Sequence, residues 1–204
     1  AGSTESGTED RPDSGSAGDV SGLLDTENHR VYLQGYPDGS FRADGQMTRA
    51  EAAQMFFNLL KDDGGRYAET FSDVREDDWF AEAAGTLAGL GIVEGYEDGT
   101  FRGNQTITRA EFAAMAVRFA GAAESAECGF SDVPAGSWMY ASVASAAEFG
   151  WIRGYEDGTF RPQNRVTRSE VCTMVNRMLG RSADRDFLES HGEEIRHFTD
   201  LKSD

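Results

Sequence analysis

The chain has 204 residues, 39% of them hydrophobic, enough to bury one sizeable core or a few small coupled ones. Its 19 basic and 36 acidic side chains give a net charge of −17, which repels nucleic acid and anionic lipid at long range and excludes a nucleic-acid partner or membrane insertion as the leading reading. Two cysteines, Cys128 and Cys172, make neither a disulfide scaffold nor a four-ligand zinc site, and are read as one bridge or two free thiols.

Residues 1–20, AGSTESGTEDRPDSGSAGDV, carry too little apolar surface to offset the entropy of folding, and read as a disordered linker or leader remnant without the apolar stretch of a signal peptide. From there the sequence repeats itself. A block running from Gly35 to Leu60 returns from Gly95 to Phe119 and from Gly154 to Leu179, at steps of 60 and 59 residues. Units this short cannot bury their own apolar face, so function is expected in the grooves between copies. The division is 1–20 leader, 21–70 first repeat with an incomplete first half, 71–129 second, 130–182 third, and 183–204 an extension that begins a further half-repeat.

In the first repeat, Ser21 to Asn28 stands where a helix is expected, followed by the turn Gly35-Tyr36-Pro37-Asp38-Gly39. Asp-Gly is a strong turn signal, because Asp bonds its own loop backbone. Thr48-Arg49-Ala50-Glu51 then sets a hydroxyl three residues before a carboxylate, a capping box with Met47 at N′. Ala52, Met55, Phe56, Leu59 and Leu60 step at three and four, which predicts a helix over 49–60.

The second repeat opens with Phe71-Ser72-Asp73-Val74, continues in a predicted helix from Trp79 through Leu90, and stops at Gly91 in the C′ position. Ile92-Val93 is a short extended piece before Tyr96, the turn at Asp98, Phe101 and the capping box Thr108 to Glu111, which heads a helix over 109–120. The third repeats this with Phe130 to Val133, a helix from Trp138 to Phe149, Gly150, Trp151-Ile152, Tyr155, Asp157, Phe160 and Thr167 to Glu170. A third capped helix is expected over 168–179, with Cys172 on its core face as a small buried hydrophobe. Phe198-Thr199-Asp200-Leu201 looks like the start of one more unit, so a longer chain is expected to supply the first repeat's missing helix and close the array. The fold class is all-α: three helix-loop-helix repeats with short extended segments.

Only Lys61 and Lys202 are lysines; the other basic residues are arginines, suited to a planar, bidentate grip on carboxylate or phosphate. Arg49, Arg109 and Arg168 sit at N1, where the helix dipole disfavours a cation by about 0.3–1 kcal/mol. With free N–H groups beside them they make a candidate anion site, to which Arg42, Arg102 and Arg161 add a second donor. A structural reading has equal weight: each arginine pairs with a loop aspartate, Asp38, Asp98 or Asp157, and pins loop to helix. Those aspartates are read as turn formers, since their spacing is not that of a calcium loop. Tyr36, Tyr96 and Tyr155, with Trp79, Trp138 and Trp151, stack on sugars if exposed, but core placement is the commoner fate of such rings. Thr48, Thr108, Thr167, Glu51, Glu111 and Glu170 are supporting residues. His29, His191 and His197 lie outside the repeated blocks, and no nucleophile-base pair or metal-ligand spacing emerges. The expectation is a non-enzyme without metal or cofactor.

Phe-Ser-Asp-Val, the following Trp, Gly-Tyr-x-Asp-Gly-Thr-Phe and Thr-Arg-Ala-Glu, in that order and spacing, resemble the S-layer homology family across most of residues 30–180. The resemblance implies a three-pronged, pseudo-threefold helical body that anchors exported proteins to the bacterial envelope. It implies an extracellular location and a partner in secondary cell-wall polysaccharide, often pyruvylated, or in a peptidoglycan-linked polymer. It makes Arg49, Arg109 and Arg168 the leading ligand contacts, in grooves between prongs. The chain departs in its incomplete first unit, in Thr-Arg-Ser-Glu at the third, and in the longer step from Arg181 to Arg196. Two further readings stand beside this one: a self-associating assembly module of a surface lattice, and the non-catalytic part of a wall-modifying enzyme.

Overall fold

The computed structural model describes residues 31–61, 71–122, 127–182, 186, 190 and 197–201. The expected leader, the Ser21–Asn28 segment and most of the Arg181–Arg196 stretch lie outside them. Among the described residues five helices are delimited: α1 (Arg49–Asn58), α2 (Ala81–Gly89), α3 (Arg109–Phe119), α4 (Tyr140–Glu148) and α5 (Arg168–Met178). Among the described residues there is no strand beyond three isolated bridges, so the all-α expectation is met.

Helices α1, α3 and α5 begin where the capping boxes put them. Thr48, Thr108 and Thr167 accept from the N3 amide, and Glu51, Glu111 and Glu170 reach back to the N-cap amide. Their ends fall one or two residues short of the expected ones. α2 and α4 start later than the tryptophans that were expected to head them: Trp79 and Trp138 sit in the preceding turns, and neither helix has a side-chain cap. Both end at a left-handed glycine, Gly91 or Gly150.

α1 packs on α2 and α3 on α4, so each helical pair joins the second half of one repeat to the first half of the next. The three repeats meet at the residues just before the capped helices. The Met47 amide donates to Val166, Val166 to Ile107 and Ile107 to Met47, at 3.1, 3.1 and 2.9 Å, closing a ring of backbone hydrogen bonds. All three side chains are fully buried, which puts the pseudo-threefold axis through the core. Phe56 lies against Phe112 and Phe119 at 5.4 and 4.9 Å beside it. Each such fully buried aromatic contributes about 1.5–3 kcal/mol of transfer free energy.

The ring is completed by the end of the chain. In the second and third repeats, the Asp73 and Asp132 carboxylates accept the two amides after the turn, Phe101 and Arg102, Phe160 and Arg161. In the first repeat Asp200 does this for Phe41 and Arg42, at 2.7 and 2.6 Å, and Phe198 packs on Phe41 at 5.2 Å. Phe198, Phe71 and Phe130 each lie over the glycine that opens a turn. At Gly95 a Cβ would come within 2.7 Å of the Phe71 ring, so glycine is required by close approach. The Phe-Thr-Asp-Leu segment therefore supplies to the first repeat, from the far end of the sequence, the contact that Phe-Ser-Asp-Val supplies to the others.

Candidate ligand-binding grooves

The arginines at N1 are buried, at 4, 6 and 3% exposure for Arg49, Arg109 and Arg168. Each reaches out of its own repeat into the loop of the next. Arg49 donates to the carbonyls of Phe101 and Glu94, Arg109 to that of Phe160, and Arg168 to those of Phe41 and Gln34, so the third repeat returns to the first. Arg49 also meets Glu111 at 3.3 Å and Arg109 meets Glu170 at 2.6 Å. The cost of a cation at a helix start is thus offset by charge-assisted bonds to a neighbour.

The helix-start amides are not free, which corrects one expectation. The Arg49 and Ala50 amides donate to Gln105 and Gly103, those of Arg109 and Ala110 to Asn164 and Pro162, and those of Arg168 and Ser169 to Gly45 and Ala43. The neighbouring repeat consumes the donors an anion would need, so the helix N-terminus itself is no anion site here.

Arg42, Arg102 and Arg161 take a left-handed backbone, with φ near +56°, which few residues other than glycine adopt. Their guanidinium groups pair with Asp38, Asp98 and Asp157 at 2.9, 3.1 and 3.0 Å, the arginine–aspartate loop pairing that one of the two equally weighted sequence readings expects. Hydrogen bonds from Ser40, Thr100 and Thr159 and from these arginines hold the three carboxyls well below the usual range, Asp98 and Asp157 at about 2. Each loop tyrosine carries two guanidinium groups: Tyr36 those of Arg42 and Arg168 at 3.9 and 4.9 Å, Tyr96 those of Arg102 and Arg49, and Tyr155 those of Arg161 and Arg109. The Tyr96 hydroxyl donates to Glu111 at 2.8 Å, and burial pushes its phenol up to about 12. These rings are packed against arginines instead of standing free for a sugar. Cys128 and Cys172 are free thiols, and burial pushes the Cys172 thiol up against the opposing effect of a hydrogen bond with Tyr32.

Among the described residues two clefts open beside these arginines, in equivalent places. One, of about 240 Å³, has Arg109, Tyr155, Glu170 and Met174 in its lining. The other, of about 450 Å³, has their counterparts Arg168, Tyr36, Glu51 and Met55. Each lies between the loop of one repeat and the helix that follows it, with the previous repeat's N1 arginine between. Trp79 stands at 62% exposure on the wall of the second cleft, and Trp151, stacked on the half-exposed Phe149, on that of the first. Six of the expected residues therefore meet around the two clefts: Arg109, Tyr155 and Glu170; Arg168, Tyr36 and Glu51. Arg42 and Arg161 line neither cleft, and Arg102 lines a separate hollow with Trp79.

Sequence reasoning overlooked the aspartates Asp73, Asp132 and Asp200, although their fixed third place after Phe was visible three times. It also overlooked Arg153 and Arg177, which line the Arg109 cleft; Arg153 stands where the other units carry Gln34 and Glu94, and Arg177 where they carry Asn58 and Arg118.

The S-layer homology domain matches this chain over residues 30–53, 70–113 and 129–172. Among curated proteins, cell surface glycoprotein 1 of Acetivibrio thermocellus is 40% identical over 178 residues, covering 80% of this chain and 8% of that protein. The cellulosome-anchoring protein of the same organism is 36% identical over 188 residues, 87% of this chain and 40% of its own length. An amylopullulanase of Thermoanaerobacterium thermosulfurigenes is 31% identical over 163 residues, 76% of this chain and 9% of the enzyme. The chain thus spans less than half the length of the relatives it matches.

Proposed function

Because this chain belongs to the S-layer homology family, we propose that it holds an exported protein to the bacterial cell envelope by taking an anionic wall glycan into the clefts between its repeats. The observation that carries this reading is the pair of equivalent clefts at successive repeat junctions, each with an arginine, a tyrosine and a capping-box glutamate in its lining. A pyruvylated secondary wall polysaccharide offers both chemistries such a cleft can use, a carboxylate for guanidinium and a sugar face for tryptophan. Two clefts on one polymer also raise the effective concentration of the second contact, so weak sites suffice.

The relatives' names fit this role: one is an anchoring protein and one a surface glycoprotein. The match confined to 9% of an amylopullulanase is what a binding segment attached to a separate catalytic body would give. The chain then works outside the cell as a non-catalytic anchor.

Co-sedimentation with purified cell walls tests this. The chain is expected to pellet with intact walls and to stay in solution with walls stripped of their secondary polymer by hydrofluoric acid. Equal pelleting with both, or with neither, overturns the reading.

A further inference from the structure

The three junctions share a backbone but differ in charge at two places: the residue before the opening glycine of the turn, and the residue nine positions after the N1 arginine of the capped helix. At the Arg109 junction these are Arg153 and Arg177, at the Arg168 junction Gln34 and Asn58, and at the Arg49 junction Glu94 and Arg118. In the last, Arg118 and Glu94 pair with each other at 3.0 Å, with side chains only 21 and 7% exposed. That pair spends the junction's extra cation on an internal acid.

Resting on the reading that the clefts take an anionic glycan, we propose that the cleft of Arg109, Arg153 and Arg177 is the carboxylate site of this chain, and that the Arg118–Glu94 pair closes the Arg49 junction to the same ligand. The Arg109 cleft sets three guanidinium groups against one carboxylate, Glu170. The Arg168 cleft sets one against Glu51, and the Arg49 junction sets Arg49 and Arg118 against Glu94 and Glu111. In a chain of net charge −17, a cleft with excess positive charge is where a polyanion is drawn in, since apolar walls focus the field there.

The three arginines also divide the work. Arg109 is held by Phe160 and Glu170 and contributes mainly fixed charge. Among the described residues Arg177 makes one hydrogen bond, to the Trp151 carbonyl at 3.4 Å, and Arg153 is exposed on the lip with no ion pair. Their donors are therefore available to a ligand carboxylate, while the neutral Gln34 and Asn58 leave the Arg168 cleft to sugar hydroxyls and the Trp79 face.

Calorimetric titration with a short oligosaccharide bearing a pyruvate-ketal carboxylate, and with the same oligosaccharide lacking the ketal, tests the assignment. Arg153→Gln with Arg177→Gln is expected to weaken the charged ligand about tenfold or more, as loss of charge-assisted hydrogen bonds does, and to leave the uncharged one unaffected. Arg118→Gln is expected to change nothing, whereas Glu94→Gln frees Arg118 and is expected to raise the number of sites. Thermal unfolding checks that each variant is folded. Wild-type binding that the Arg153/Arg177 pair leaves intact, or that Arg118→Gln weakens as much, overturns this assignment alone. No wild-type preference for the charged ligand overturns the anionic-glycan reading beneath it.

Discussion

Arg168 offers the sharpest separation of strut from ligand contact. Its side chain is 3% exposed and donates to the Phe41 carbonyl at 2.8 Å and the Gln34 carbonyl at 2.6 Å, the link between the last repeat and the first. Hydrogen bonds to a charged group contribute about 1.5–3 kcal/mol each, and water admitted by truncation recovers part of that, so Arg168→Ala should cost about 2–4 kcal/mol. For a chain of this length that is a fall in Tm of roughly 5–15 °C. Arg168→Lys keeps the charge but has one compact head for two carbonyls, and should fall between. As a control, Arg102→Ala removes a loop pair with one partner half-exposed, and should shift stability by about 1 kcal/mol or less. Urea unfolding followed by circular dichroism reads all three. An Arg168→Ala chain with the wild-type midpoint would refute the strut, and would leave ligand contact as the reason for a cation at that helix start.

Three further outcomes are expected. Gly95→Ala forces a methyl to within 2.7 Å of the Phe71 ring and 3.0 Å of the Thr100 carbonyl oxygen, and should destabilise by about 1–3 kcal/mol in the same urea assay. Asp98 and Asp157 have folded values near 2 against an ordinary 3.8, so their stabilisation is complete above the ordinary value and is lost as pH falls from about 4 through about 2; Tm measured across that range should drop, and an Asp98→Asn, Asp157→Asn chain should show a shallower drop. Trp79→Ala removes an exposed ring from the wall of the Arg168 cleft, and should leave Tm within about 2 °C while weakening wall-polymer binding about threefold or more, as loss of a sugar-stacking face would; unchanged binding would take Trp79 out of the site.

Local chemistry made the helices legible. A threonine three residues ahead of a glutamate, with apolar steps of three and four behind it, fixes α1, α3 and α5 because capping and amphipathic burial act within a single turn. α2 and α4 lack a capping side chain, so their starts were placed at the tryptophans, a few residues early. The role of the N1 arginines was half legible. Their placement against the helix dipole did call for a reason, yet the reason is a carbonyl on another repeat, some fifty residues away or, for Arg168, more than a hundred. Nothing in a single repeat reveals that. The same holds for Asp200, whose partners Phe41 and Arg42 lie at the opposite end of the chain. Arg153 stands where the other repeats carry Gln34 and Glu94, and Arg177 where they carry Asn58 and Arg118, so repetition alone does not point to them although they set the charge of the Arg109 cleft.

A structure of the chain with the pyruvate-ketal oligosaccharide bound tests the central claim most directly. The account predicts the sugar in a cleft between repeats, its carboxylate against Arg153 and Arg177 beside Arg109. Ligand bound instead on the outer loops at Arg42, Arg102 or Arg161, with both clefts empty, would contradict it.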